Sequence, residues 1–597
     1  MQIKVRDRIL KVTHASEIVS VELIQPLWNN YGTLSRVFLR DSDYSSVIVK
    51  HIKIPDHSYH PRGFTSSISR RRKVQSYKVE THWYLHHNQH VNDHSPTPQC
   101  LDAFDEGDEL FLLLEDLSTL GFSSTLRSAS WSELTVVLRW LAHFHAQHLG
   151  VSAEGLWSCG TYWHLATRPE EFAKIEGTRV HHFASLLDAR LRTGRFQTIV
   201  HGDAKLANFC FSDDRSEVAA VDFQYVGRGC GMRDVAYFVG SCLSETECQR
   251  LESEILDAYF SQLRSCLANE INADELEAEW RALYPIAWAD FQRFMLGWSP
   301  QHQKLTSYSD AITEGAIDLI RDDLLEIAQS ACLEAGCFIQ AHRDHIFEIS
   351  SKGFASQASD MVTEIDLQAQ ALILDLLSTS IERYDLGILA EEGEQDDSRL
   401  HKHAFWTIDP LDGTQYFVEG KSGYAVSIAL VSQSGQSILG VVYDPITEAM
   451  YQAVRGEGVT LNGDPMQPTK LDENRSDRTQ WIADRSLRGH PHFNHYQADF
   501  DVRFVGGAVM NILQLLTEPN SCYVKAPKTS LGGCAIWDLA AVSLMLEERS
   551  GSVQLYDGAP LHLNREDRLF FNDVGLVFTS PDLDFETITA RVKESEI

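Results

Sequence analysis

Two sets of carboxylates, each tied to its own apolar strands, constrain this 597-residue chain more than any other feature. The first gathers around His201-Gly202-Asp203, Asn208 and Val221-Asp222-Phe223. The second runs from Glu391 through Asp409 and Asp412 to Asp538. A chain of this length is too long for one hydrophobic core and is expected to hold several domains of roughly 100 to 200 residues. Each carboxylate set therefore calls for a domain of its own.

Composition narrows the reading. Hydrophobic residues make up 43% and charged residues 23%, an ordinary globular balance. The formal charge of -32, from 84 acidic against 52 basic residues, repels polyanions and gives no electrostatic basis for binding nucleic acid. Eleven cysteines without a CxxC pair do not form a disulfide framework and point to a reducing compartment. The N-terminus, MQIKVRDRILKV, alternates charged and apolar residues and lacks the apolar core of a secretory signal. No run approaches the roughly 20 apolar residues needed to cross a bilayer. The expectation is a cytoplasmic protein with no membrane partner.

Strand-like runs at 35–39, 46–52 and 109–114 come first, with a helix-like segment around Glu80, and helical spacing takes over at 131–149. The polar stretch 299–310 reads as a linker, with a domain boundary near 315. Beyond it two amphipathic helices, 319–339 and 366–380, precede an antiparallel meander over 424–454. The expected domains are 1–315 and 316–597.

Phosphoryl transfer needs magnesium held on the phosphates and a carboxylate aimed at the attacking hydroxyl. In the first set, Asp203 would accept the hydroxyl proton, while Asn208 and Asp222 would hold Mg2+ through the oxygen ligands hard cations prefer. Lys50, ending the strand Val47-Ile48-Val49, and Glu80, on the next helix, suit an ion pair that positions nucleotide phosphates. Tyr31-Gly32-Thr33-Leu34-Ser35 is a candidate phosphate-covering turn one hairpin earlier. Each element alone has a plain structural use: a turn, a snorkelling lysine, a solvated helix charge. Their common order and spacing carry the functional reading.

These residues, with the segments LWNNYGTLSRVFL, SVIVKHIKIP, RRKVQSYKVETHWY, LLLEDL, LAHFHA and ADFQRFMLGW, resemble the aminoglycoside phosphotransferase and choline kinase superfamily, and within it the ecdysteroid-kinase-like group. The resemblance covers about residues 20–310. It implies a protein-kinase-like bilobal fold, ATP as donor and a hydroxylated small molecule as acceptor, with Glu115 to Leu117 as the hinge that receives adenine. Gln224, where protein kinases have glycine, is usual for this group and argues against a protein substrate.

In the second set, Mg2+ would resolve the repulsion among Glu391, Asp409, Asp412 and Asp538, polarise a phosphate and activate water; Leu411 belongs to the same metal set. Pro410 restricts Asp409 to extended backbone and Gly413 permits a tight turn after Asp412, so both carboxylates can face one site. Thr414 presents its hydroxyl to the attacking water, and Gly413-Thr414 offers backbone N–H groups to the phosphate. An acidic turn and a helix cap are the plainer uses of these aspartates.

DPLDGT with a preceding EE and a following WDLAA, together with Lys352, VTEID, RGEGVTLNG and GGAV, resembles the inositol monophosphatase family. The resemblance covers about residues 320–590. It implies an α/β/α/β layered sandwich, dependence on Mg2+, sensitivity to lithium, and roles for Asp366 and Thr414 in activating water. Inositol-selective members carry a carboxylate seven residues before the aspartate of Asp538; Leu531 stands there, which speaks against myo-inositol phosphate. Lys525 and Lys528, with LNRED, lean toward the bisphosphate nucleotidase branch, where a second anionic group is bound; a solvated surface pair is the alternative.

The expectation is thus an α+β two-domain enzyme, an ATP-dependent small-molecule kinase followed by a Mg2+-dependent phosphatase. Its partners are a small-molecule alcohol and a phosphate ester. Opposed action on one phosphate would only hydrolyse ATP, so the two activities are expected at different positions in one pathway. Two independent activities, or one catalytic half with a ligand-binding half, are the alternatives.

Overall fold

The computed structural model describes residues 3–28, 31–54, 67–88, 94–107, 109–351, 355–394, 396–467, 478–530 and 532–595; of 345–351 and 355–362 only the backbone is described. Lys352 and Leu531 lie outside the described residues. The chain divides into two units, Met1–Asp318 and Leu319–Ile597.

The first unit opens with helix α1 (Ile3–Val12), where the sequence reading found only an alternation of charged and apolar residues. Val5 and Ile9, one turn apart, bury against a five-stranded sheet. Its strands are β1 (Glu17–Pro26), β2 (Gly32–Arg40), β3 (Ser46–Lys53), β4 (Cys100–Glu106) and β5 (Glu109–Glu115), in the order β1-β2-β3-β5-β4, all antiparallel. Alternation along β3 sends Val47 and Val49 into the cluster under α1, and Lys50 to the other face. There it meets helix α2 (Ser67–His82).

After β5 the unit becomes helical. Helix α3 (Trp131–Gln147) starts with a capping box between Ser130 and Glu133 and packs against the helix Glu245–Cys266. The helix Ala273–Trp298 packs against Arg179–Thr193 and Met232–Cys242. Two short ladders, Thr198–Val200 with Gly227–Gly229 and Phe209–Ser212 with Val218–Ala220, anchor the loops 201–208 and 221–226 at both ends. Those loops carry Asp203, Asn208 and Asp222.

The stretch read as a linker is part of this unit. Thr306 and Ser309 exchange hydrogen bonds, Thr306 N–H to Ser309 Oγ at 2.9 Å and Ser309 N–H to Thr306 Oγ1 at 3.2 Å. They begin the helix Ser307–Ser351. The polar residues are helix-capping chemistry, and the division between units falls within this helix.

The second unit is built on a seven-stranded sheet. The strand Gly387–Ala390 pairs in parallel with Ala404–Asp412, and the rest is an antiparallel meander through Ala425–Ser432, Ser437–Asp444 and Ala449–Val454. The helices Ser307–Ser351 and Ala355–Tyr384 line one face, with Cys332 against Val441 and Trp406 Nε1 donating to Ser380 Oγ at 2.9 Å. On the other face, Ala508–Gln514 and Ile536–Glu548 form one core with this sheet and with Ile482, Tyr523, Leu576 and Phe578 of a five-stranded sheet. Tyr496, Phe500, Ile588 and Val592 cover the far side of that second sheet. All eleven cysteines are free thiols. Among the described residues no helix is long and apolar enough to cross a membrane.

Candidate active sites

In the first unit, Lys50 Nζ lies 2.6 and 2.8 Å from the two oxygens of Glu80 and 3.2 Å from Asp222 Oδ1. Lys50 and Glu80 are buried, and Asp222 is part-exposed. Burial alone would raise the Asp222 carboxyl, but Lys50, Lys205 and Lys73 outweigh it and hold the group well below the usual range. Asp203 Oδ2 takes Lys205 Nζ at 2.9 Å and Asn208 Nδ2 at 3.1 Å, and Val221 N–H donates to Asn208 O at 3.0 Å. Lys50, Glu80 and Asp222 are therefore in contact, as are Asp203 and Asn208.

Sequence reasoning missed the residue that shapes this loop. Asp234 accepts His201 N–H at 2.6 Å and Gly202 N–H at 2.9 Å, and lies 3.2 Å from His145 Nε2. No local pattern marks it, because its partners are backbone groups more than thirty residues away. Within the segment Glu115 to Leu117, Asp116 takes Arg36 Nε and Ser46 Oγ at 2.6 Å each and caps Ser118 N–H at 3.1 Å. That clamp fixes the segment of Glu115, whose N–H donates to Gln99 O at 2.9 Å, and of Leu117, which is buried. The candidate phosphate-covering turn is largely strand: Gly32 to Ser35 pair with Ile52 to Val49.

In the second unit the strand Ala404–Asp412 solves a geometric problem. Residues three apart on a regular strand point to opposite faces. A register shift between Asp409 and Asp412 breaks the pairing with Ser427 and Ala425 and re-aims the side chains. Oxygens of Asp409, Asp412 and Asp538 then lie within 4.8 Å of one another. Asp412 is held by Ala508 N–H at 3.1 Å and Val509 N–H at 2.9 Å; Asp409 by Leu411 N–H at 3.0 Å; and Asp538 by Ala535 N–H at 2.8 Å. The helix-cap use of Asp538 and its place in the cluster coexist. Gly507 is there because a β-carbon would sit 2.3 Å from Asp412 Oδ2.

Glu391 and Asp366 adjoin this cluster. Glu391 N–H donates to Ile408 O at 3.1 Å, while Gln370 binds the backbone of Glu392 from both sides, at 2.6 and 2.9 Å. Asp366 lies one turn before Gln370 on the same helix. Burial and then Glu392 and Glu391 push its carboxyl up to about 8. Burial and mutual repulsion raise Glu391, Asp409, Asp412 and Asp538 as well. A crowded, oxygen-only donor set that resists ionisation alone fits a hard divalent cation. Thr414 Oγ1 donates to Leu411 O at 3.1 Å, next to Gly413 in its left-handed conformation.

One expectation is corrected here. Lys525 offers no free charge to a second anion: its Nζ is 2.5 Å from Asp484 Oδ2, and the Asp484 carboxylate accepts in turn from Asn511 at Oδ1 and from Tyr523 at Oδ2. Lys528 is exposed. A further group, Cys159, His164 and Asp188, has metal-like spacing. Asp188 is committed there to Arg233 at 3.2 Å and Arg192 at 2.9 Å, so two guanidiniums already neutralise it.

Comparison with known proteins bears on both units. The inositol monophosphatase family model matches residues 320–595. An inositol-1-monophosphatase of Synechocystis sp. is 33% identical over 247 residues, 40% of this chain and 81% of that protein. Through its second unit, the chain belongs to the inositol monophosphatase family. Another protein similar to this inositol monophosphatase family member is a Nus factor SuhB of Pasteurella multocida, 31% identical over 40% of this chain and 88% of its own. A solved structure of inositol monophosphatase from Anabaena (Nostoc) sp. matches with 24% identity and a TM-score of 0.35, over 46% of this chain and 96% of that one. In the first unit of this inositol monophosphatase family member, the ecdysteroid kinase-like family model matches residues 42–154 and 158–270.

Proposed function

We propose that the protein is a bifunctional enzyme: an ATP-dependent kinase of a small-molecule alcohol in the first unit and a phosphatase of a small-molecule phosphate monoester in the second. The convergence of Asp409, Asp412 and Asp538 carries the phosphatase reading. The contact of Lys50 with both Glu80 and Asp222 supports the kinase reading.

In the first unit Lys50, steadied by Glu80, would hold the ATP phosphates, with Glu115 and Leu117 beside the adenine. Asp203 would accept the proton of the acceptor hydroxyl, and Asn208 and Asp222 would hold Mg2+. In the second unit Glu391, Asp409, Leu411, Asp412 and Asp538 would hold Mg2+, which supplies Lewis-acid polarisation of the phosphate and of water. Asp366 and Thr414 would orient the attacking water and help activate it. The Gly413-Thr414 turn would receive the phosphate. Acting on different positions of one intermediate would avoid a futile cycle of ATP hydrolysis.

Orthophosphate release from a panel of phosphate monoesters tests the phosphatase assignment. Release should require added Mg2+ and disappear in Asp538→Asn. Release that survives that substitution, or that needs no divalent cation, overturns it.

A further inference from the structure

Lys304 is left unexplained by both phosphoryl sites. It lies in the turn after the helix Ala273–Trp298, and its Nζ stands 4.7 Å from the centre of the Tyr237 ring and 5.5 Å from that of Phe291. Both rings are buried in a cluster with Trp163, Phe294 and Met295. Among the described residues Lys304 has no carboxylate partner, and its own hydrogen bond is from the backbone, N–H to His302 Nδ1 at 3.2 Å.

The carboxylate that bears on Lys304 is Asp203, but Asp203 is already bound by Lys205 and Asn208. Tyr237 faces Asp203 and Tyr162, so Lys304, the aromatic wall and the base aimed at the acceptor belong to one place. Burial, with a smaller contribution from Lys205, brings the Lys304 ammonium down to about 8 against the pull of Asp203. Lys304 is part-buried, and a partly desolvated cation without a counter-ion carries a cost that ring faces compensate only in part.

Two consequences follow for the acceptor. The Tyr237 and Phe291 faces are taken by the protein's own cation and cannot cage a quaternary ammonium. The ammonium is also open to an anion on the ligand. We infer that Lys304 selects the acceptor: the alcohol carries an anionic group, a carboxylate, sulfate or phosphate, that seats on Lys304 while its hydroxyl meets Asp203. This rests on the kinase reading of the first unit. During transfer the hydroxyl proton passes to Asp203. The new oxygen–phosphorus bond forms as that between the γ-phosphorus and its bridging oxygen breaks, and ADP leaves. Lys304 takes no part in those bond changes; it positions.

The test uses the full chain and matched ligands on shared alicyclic and aromatic skeletons: hydroxy acids, their methyl esters, the corresponding hydroxy sulfates and phosphates, and trimethylammonium alcohols. Acylation of Lys304, read by peptide mass spectrometry with ATP present, reports occupancy whether or not turnover occurs. At least one anionic class should shield Lys304, and loss of its charge on esterification should weaken that shielding by about 10- to 100-fold, the worth of one charge-assisted contact; which class shields best identifies the anion. ADP release should follow the same order. Lys304→Met should raise the acceptor KM while leaving the KM for ATP unchanged and the unfolding temperature no lower, and Lys304→Arg should restore much of the lost acceptor binding. No shielding by any anion, equal shielding by esters, or preference for trimethylammonium alcohols overturns the proposal. Shielding by an anion without ADP formation would instead refute the kinase reading and leave the anion site standing.

Discussion

Replacing Glu80 by leucine should cost the first unit about 3 kcal/mol of stability, the lower end of the penalty for stranding one member of a buried ion pair. The figure follows from the contacts. Lys50 holds both Glu80 oxygens, at 2.6 and 2.8 Å, in a setting where the two side chains are 7% and 1% exposed. Without Glu80 the ammonium retains Asp222 at 3.2 Å, whose side chain is 32% exposed and shared with other cations, so part of the penalty is spared. Lys50→Met strands Glu80 more completely and should cost about 3 to 5 kcal/mol. The double variant removes both charges and should cost less than the two singles summed, by a coupling of about 2 to 3 kcal/mol. Urea unfolding followed by tryptophan fluorescence reads mainly this unit, because nine of the twelve tryptophans precede residue 318. With a slope near 3 kcal/mol/M, Glu80→Leu should lower the midpoint by about 1 M. If the single effects simply add in the double variant, or Glu80→Leu costs under about 1 kcal/mol, the dry Lys50–Glu80 contact is wrong.

Gly507→Ala should drive a methyl into the Asp412 carboxylate and lower Mg2+ affinity by at least about 10-fold, measured by calorimetry; unchanged affinity would mean Asp412 is not a ligand. His164 should link stability to alkaline pH. Burial would lower its pKa, but Cys159 and Asp188 outweigh that and raise it from 6.5 to about 10. The stabilisation is complete below pH 6.5 and is lost as pH rises toward 10, so the gap in thermal stability between wild type and His164→Gln should shrink across that window. A constant gap would rule out the linkage.

Much of both candidate sites was legible because their residues sit in short motifs tied to strands. Asp203 and Asn208, or Asp409 and Asp412, are close in sequence and so carry their spacing with them. What stayed hidden depends on distant partners. Asp234 orders the loop backbone of His201 and Gly202 from the helix Met232–Cys242, and Asp484 neutralises Lys525 from forty-one residues away. Local composition cannot announce either. The polar segment before Ser307 misled because capping residues and linker residues share a composition, and this hid Lys304 in a stretch assumed to be a tether. Helix α1 was missed because its buried stripe is two residues, Val5 and Ile9, among charges. The strand holding Asp409 and Asp412 was readable, but the register shift that turns both carboxylates one way is a property of pairing with Ala425–Ser432.

The central claim is that two autonomous phosphoryl chemistries share one chain. Parallel assays of ADP formation and orthophosphate release on full-length Asp203→Asn and Asp409→Asn address it most directly. The account predicts that Asp203→Asn loses ADP formation and keeps phosphate release, and that Asp409→Asn does the reverse. Loss of both activities in either folded variant would contradict it.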